Sequence, residues 1–414
     1  MIFTEITYEE LEKHQKEDNS RYFFPQGSTY KKLANKNNIK SKILAVKENN
    51  KIIAYSTFIY YRYKKFFYKA TTQFGPIMDY NNDNLVDFYF KKLKEYFKKD
   101  FRVISVRVNP FLNEKLFSDI EETGENSIAT SVRKHLENNS FKAMNEDLFT
   151  NPTLATRCVF SKELTNITKE NILKNISQIA RYTINRTTKE GVLVREIDIF
   201  NEADAKIFDD INKDTEKRIN FEVRDIDYFK TLKSVYKDDL ILAISYIDCD
   251  KFVNNTIATI SNLENEKNNL LEKLKEGKVN TKKTNNKIKE LDENISIWKN
   301  KIEKIKKLKE DEGNIINLSC ASFIKSKQDF IYFSSGAYKK FSRYEGPYAV
   351  LFAMMKYAIE NKYKYFNFYG TNKDFSEKSS DYGVLQFKRN FNGNVEWFMD
   401  NYELRNNLGK YISW

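Results

Sequence analysis

Between residues 260 and 305 the chain reads ISNLENEKNNLLEKL (260–274) and, after a short gap, IKELDENISIWKNKIEKI (288–305). In the first stretch Ile260, Leu263, Lys267, Leu270 and Leu274 step by 3, 4, 3 and 4. In the second, Ile288, Leu291, Ile295, Trp298, Ile302 and Ile305 continue the same alternation. Each stretch therefore predicts a helix with one narrow apolar seam. Gly277 and a polar link join them, so 254–312 predicts an antiparallel two-helix coiled-coil arm. At 1.5 Å per residue, a helix of about 20 residues extends roughly 30 Å. A coiled coil between two chains would show the same spacing. The matched lengths and the short link favour a hairpin within one chain.

The arm interrupts a mixed pattern. Upstream, Lys42–Val46 and Ile52–Tyr61 are apolar and β-rich around Glu48-Asn49-Asn50, which predicts a hairpin. Asn84–Lys98 carries a helical stripe of Leu85, Phe88, Tyr89, Leu93 and Phe97. Phe101–Val108 predicts a strand ended by Asn109-Pro110, and Glu114–Asn139 a polar loop plus helix. A second unit starts near Asn151. It has a basic helix over Asn171–Glu190, strands over Val192–Ile197 and Leu240–Ile247, and helices over Glu202–Thr215 and Ile226–Tyr236. After the arm, two strands turn at Ser326-Lys327-Gln328, followed by a helix over Pro347–Asn361 and a strand over Lys364–Tyr369. The fold class predicted is α+β, with the arm inserted between two strands of the second unit.

Composition narrows the chemistry. With 414 residues, 41% hydrophobic and 15% aromatic, the chain can bury a sizeable core in two or three domains. Lys+Arg 70 against Asp+Glu 58 leaves +12, which suits RNA, anionic lipid or a phosphorylated substrate. Neither G-x-x-x-x-G-K-[ST] nor G-x-G-x-x-G occurs, which argues against an NTPase or a dinucleotide enzyme. His14 and His135 are too few for a histidine metal centre. Cys158, Cys249 and Cys320 form no C-x-x-C pair and predict buried, reduced thiols. No metal and no cofactor is expected. MIFTEITYEE lacks the pattern of a secretory signal, and the longest apolar stretch, Tyr348–Ile359, is too short to span a bilayer. A cytoplasmic protein is expected.

Several segments carry a resemblance. They are Phe74-Gly75-Pro76-Ile77-Met78-Asp79-Tyr80, Val106-Arg107-Val108-Asn109-Pro110 and Arg224-Asp225-Ile226-Asp227-Tyr228-Phe229. Further on come Tyr344-Glu345-Gly346-Pro347-Tyr348-Ala349-Val350, Tyr365-Phe366-Asn367-Phe368-Tyr369-Gly370, Asp381-Tyr382-Gly383-Val384 and Phe387-Lys388. In this order, over nearly the whole chain, they resemble the Fem family of non-ribosomal peptidoglycan aminoacyltransferases (FemA, FemB, FemX and MurM types). The arm sits where FemA- and FemB-like members carry theirs. The resemblance implies two GNAT-like units, one over 1–150 completed by 395–414, the other over 151–253 and 313–394. It implies transfer of glycine, or else alanine or serine, from aminoacyl-tRNA to an amine of a peptidoglycan precursor. That amine belongs to the stem peptide or the growing interpeptide bridge. The precursor is lipid II or UDP-MurNAc-pentapeptide, the lipid-linked form being favoured in members with the arm, which work at the inner face of the membrane. An amine attacking an activated ester needs positioning and oxyanion stabilisation, not a metal or ATP.

The resemblance also implies roles for residues. Lys388 would contact the aminoacyl end of tRNA and stabilise developing negative charge, with Phe387 shaping the pocket; the bland alternative is a surface lysine beside a core Phe. Arg224 and Tyr228, four apart on a helix, would recognise the precursor diphosphate. Lys31 and Lys32 lie where the family places a lysine against the precursor. Asn109 stands where many members have Asp, and Asn cannot take a proton from the amine. Ser334 stands near a position where some members have Tyr. Arg181, Arg186 and Lys189, on the basic helix, could meet RNA phosphates or form a solvated face. Two rival readings remain at this stage. An acyl-CoA N-acetyltransferase would share the fold but usually has a Gly-rich pyrophosphate loop, which is absent here. A non-catalytic member could use the arm to bind a partner.

Overall fold

Asn49 and Asn50 both adopt left-handed backbone, with φ of 48° and 61°. Two such residues in succession form the tight turn whose twist matches that of paired strands. Ser41–Glu48 and Lys51–Tyr63 accordingly fold back on each other as a hairpin. In this computed structural model, which describes residues 1–218, 224–277 and 279–412, the hairpin nucleates a first sheet. From edge to edge it runs Ile2–Ile6, Ser41–Glu48, Lys51–Tyr63, Phe67–Thr71, Val103–Val108, Tyr402–Arg405 and Lys142–Ala143. The helix Asp83–Lys98 buries Leu85, Val86, Tyr89, Phe90, Leu93 and Phe97, the stripe its period predicts.

A second sheet of nine strands repeats the plan. Its order is Val192–Glu196, Leu240–Asp248, Ile315–Lys325, Asp329–Ala337, Tyr365–Thr371, Cys158–Glu163, Asn394–Phe398, Asn113–Ser118 and Glu121–Glu125. Over its first six strands each sheet shows three antiparallel pairings, then one parallel, then one antiparallel. Two helices separate the first and second strands in both (Tyr8–Glu17 and Ser28–Lys36; Glu202–Glu216 and Ile226–Tyr236). One helix crosses between the parallel pair in both (Asp83–Lys98; Gly346–Glu360). Where the first sheet closes its hairpin with two asparagines, the second inserts two long helices, Cys249–Lys275 and Thr281–Glu312.

Those helices run antiparallel. Asp250 meets Lys309 at 2.6 Å, Glu264 meets Lys299 at 3.2 Å and Lys267 meets Asp292 at 2.6 Å, so one index falls as the other rises. Ile260, Ile295 and Ile302 are buried between them. The first helix starts at Cys249, five residues before the predicted boundary at 254. Asp248 caps its N-terminus, and Phe252 packs with Ile305, Ile316 and Leu318 at the base. Lys278, in the predicted link, lies outside the described residues, as do 413 and 414.

Two predicted boundaries are corrected. Residues 113–125 are not a polar loop of the first unit: they form a hairpin at the edge of the second sheet, where half-exposed strands tolerate polar residues. Likewise 395–414 does not go whole to the first sheet. Asn394–Phe398 pairs with Cys158–Glu163 in the second, and only Tyr402–Arg405 crosses over to pair with Val103–Val108. The chain thus passes between sheets four times, near Asn109, between Glu125 and Lys142, between Ala143 and Cys158, and near Met399. The three cysteines are free and buried. No described helix is long and apolar enough to cross a membrane.

A largely buried arginine ties the N-terminal segment to the second sheet. Arg21 donates to Asp329 (2.8 and 2.7 Å) and to Glu396 (2.6 and 2.9 Å), and its guanidinium lies 3.8 Å from the Tyr365 ring centroid.

Candidate functional site

The parallel strands Asp329–Ala337 and Tyr365–Thr371 pair at Asp329, Phe330 and Ile331 with Tyr365, Phe366 and Asn367. Beyond that register the pairing stops although both strands run on, which leaves a wedge in the middle of the second sheet. Tyr369 sits in the wedge with a left-handed backbone, φ 61°, a conformation uncommon for a bulky residue. Its amide donates to Asn367 Oδ1 at 2.8 Å, which holds the turn. The carbonyls of Tyr369 and Gly370 then receive the Lys388 ammonium, at 3.5 and 2.5 Å.

Lys388 lies on the helix Tyr382–Arg389 and is only 4% exposed. Burial pulls its pKa down to about 8, against an opposing pull from Asp381. Asp381 itself is fixed by Thr371 Oγ1 (3.0 Å), the Asn372 amide (2.7 Å) and Ser379 Oγ (2.7 Å). Of the three Lys388 protons two go to carbonyls. Phe387, beside it, packs edge-on to Tyr348 (4.9 Å) within the apolar cluster on this face of the sheet.

Arg224 and Tyr228 belong to the opposite face, with the cluster that joins Phe24, Tyr30 and Phe333. Arg224 is not on a helix with Tyr228 as the spacing suggested. It precedes Asp225, the N-cap of Ile226–Tyr236, yet its guanidinium still lies 5.0 Å from the Tyr228 ring and 4.5 Å from that of Phe333. Phe24 contacts Phe333 (5.4 Å), Tyr30 (5.9 Å) and Tyr369 (5.7 Å). Burial pushes the Tyr30 phenol up. The result is an aromatic crevice with one exposed guanidinium on one face, and a buried amine behind the Tyr369 backbone on the other. Tyr369 touches both, its ring against Phe24 and Phe333 and its carbonyl on Lys388.

Other predicted residues are placed elsewhere. On the helix Ser28–Lys36, Tyr30 is the side chain that reaches the crevice; Lys31 and Lys32, turned about 100° and 200° from it, do not. Lys31 donates to Ser41 Oγ at 2.7 Å, and Lys32 pairs with Glu12 at 3.1 Å. Ser334 shares a hydrogen bond with Ser322 at 2.6 Å. Arg181 donates to the Leu173 carbonyl at 2.7 Å and Arg186 pairs with Glu345 at 2.9 Å, so both are engaged within the protein, while Lys189 is exposed.

Asn109 is fully buried. Its Oδ1 accepts from the Phe74 amide at 3.2 Å and its Nδ2 donates to the Met399 carbonyl at 2.8 Å. It stitches the strand crossings together. Asn109→Ala leaves a buried amide and a buried carbonyl without partners, so a loss of about 2–4 kcal/mol is expected in urea unfolding. A variant of wild-type stability that has lost its acceptor affinity would support the substrate role.

The FemAB family pattern matches residues 6–412. The chain belongs to the FemAB family. An aminoacyltransferase FemA of Staphylococcus epidermidis is 28% identical over 396 residues, covering 95% of this chain and 94% of that one. An aminoacyltransferase FemA of Staphylococcus aureus is 28% identical over 348 residues, 84% of this chain and 81% of that one. The crystal structure of FemX superposes with a TM-score of 0.83 at 18% identity, covering 99% of each chain, and shares the fold. The FemAB chain described here is an aminoacyltransferase.

Proposed function

We propose that this aminoacyltransferase moves an amino acid, glycine first among glycine, alanine and serine, from aminoacyl-tRNA to a peptidoglycan precursor. The acceptor is the stem-peptide amine or the growing bridge of a lipid-linked precursor, reached from the cytoplasmic side. The reading takes each sheet with its helices as a GNAT-like unit and the two long helices as a coiled-coil arm.

The observation that carries it is the wedge: a break in strand pairing within the second sheet, with a lysine pinned beside it. Donor and acceptor can enter from opposite faces and meet there. The acceptor amine attacks the ester carbonyl, the C–N bond forms, and the ester C–O bond breaks. The amine gives up a proton and the departing ribose oxygen takes one, so the step balances. Lys388, as ammonium, offers its third proton to the oxyanion of the tetrahedral intermediate. Arg224, stacked on Phe333 and Tyr228, presents a planar fork to a diphosphate.

The test is transfer of labelled glycine, alanine and serine from charged tRNA to lipid-linked precursor, with RNase as control. RNase-sensitive label in the precursor is the expected result. No incorporation with any donor, including onto glycine-extended precursor, would overturn the reading and favour a non-catalytic role.

A further inference from the structure

Phe66 and Phe101 are 72% and 65% exposed, among the most exposed large apolar side chains of the described residues. They are also neighbours. Phe67–Thr71 and Val103–Val108 are adjacent parallel strands, and the Tyr68 amide donates to the Arg102 carbonyl at 2.8 Å. Each phenylalanine stands one or two residues ahead of its strand. Both therefore sit on turns at the same end of the first sheet, side by side.

The turns are basic. Lys64 and Lys65 precede Phe66, and Lys98 and Lys99 precede Phe101; all four are exposed. Among the described residues none of these four lysines is in an ion pair. The one acid within the two turns, Asp100, is already held by Arg102 at 3.0 Å and by Lys40 at 3.9 Å.

We infer that this end of the first sheet docks on an anionic lipid bilayer, the two rings entering at headgroup level and the lysines resting on lipid phosphates. Exposed aromatic tips ringed by lysine gain both from apolar burial and from the negative surface potential of such a membrane. RNA fits less well. Bases stack on aromatics that line a basic groove, whereas these rings project from two turn tips. The placement also serves the crevice. Tyr61, close enough to Tyr30 to raise its phenol, lies two residues before the end of Lys51–Tyr63. At about 3.3 Å per residue, on the order of 10 Å of strand separates the crevice wall from the docking turns.

The inference goes beyond the transfer reading and is tested without precursor. The full chain is sedimented with phosphatidylcholine vesicles, and with vesicles in which one lipid in three is phosphatidylglycerol. Wild type is expected to bind only the anionic vesicles. Phe66→Ser/Phe101→Ser, and separately Lys64→Gln/Lys65→Gln/Lys98→Gln/Lys99→Gln, are expected to lower partitioning at least about tenfold. Both variants should keep the wild-type melting temperature, because the side chains changed are exposed. Absence of wild-type binding, or equal partitioning of wild type and the phenylalanine variant, would overturn the inference. So would a loss confined to tRNA binding in a gel-shift assay, which would assign the surface to RNA. Because no precursor is present, each outcome is separate from success or failure of the transfer assay.

Discussion

Replacing Lys388 with methionine is expected to lower kcat for amino-acid transfer by about 10²–10³-fold, with KM for either substrate changed far less. The proposed contact exists only once the ester carbonyl has become an oxyanion, so its loss falls on the chemical step. Methionine keeps the length and apolar body of the side chain and removes the charge. The pH profile separates this role from a structural one. With its pKa pulled down to about 8, Lys388 is an ammonium below that value and a neutral amine above it. The acceptor amine must be neutral, so the rate climbs with pH until Lys388 discharges. Wild type should therefore show an alkaline limb near pH 8. The residual rate of the methionine variant should keep rising through that range. A wild-type profile without that limb, or a variant within a fewfold of wild type, would remove Lys388 from the mechanism.

Arg21→Ala is expected to cost about 3–5 kcal/mol of stability, more than Asn109→Ala. Alanine would leave the buried Asp329 and the largely buried Glu396 facing each other with no cation between them. Burial already raises the Asp329 pKa in the intact protein, with Arg21 opposing it. Without Arg21 that value rises further. A carboxyl whose folded pKa lies above its unfolded one costs stability once it is ionised. The deficit is therefore full near neutrality and narrows as pH falls toward the unfolded aspartate value. Urea unfolding of both proteins across that range reads the sign directly. If the alanine variant proves too unstable to purify, Arg21→Met combined with Asp329→Asn and Glu396→Gln should recover much of the loss. A constant deficit at all pH values would mean that packing on Tyr365, not charge, is what Arg21 supplies.

Local features of the fold were legible in the sequence. The stripe on Asp83–Lys98, the hairpin at Asn49-Asn50 and the turn at Ser326-Lys327-Gln328 depend on a few neighbouring residues, and each appears where its pattern puts it. Partner choice between sheets was not legible. Nothing within 113–125 or 394–398 says which sheet the strands join, because that depends on residues hundreds of positions away. In the crevice, the resemblance points to Lys31 and Lys32, whereas Tyr30, about a 100° rotation away from Lys31 on the same helix, is the side chain that reaches it. Nothing in the sequence sets Phe24 and Phe333 apart from other aromatic residues. Asn109 stands out as a departure because the resemblance is to a motif, while its hydrogen bonds to Phe74 and Met399 are visible only in space. Arg21 carried no motif at all.

The crossing of Tyr402–Arg405 into the first sheet has a consequence for how the chain is made. Ser105 and Glu403, 298 residues apart, are hydrogen-bonded neighbours in the finished sheet. During synthesis the first sheet must wait, with Val103–Val108 unpaired along one side, until residues 402–405 have left the ribosome. Sequence-distant pairings of this kind slow folding and leave strand edges exposed in the meantime. A nascent chain stalled before residue 402 should therefore leave its first 150 residues sensitive to proteases.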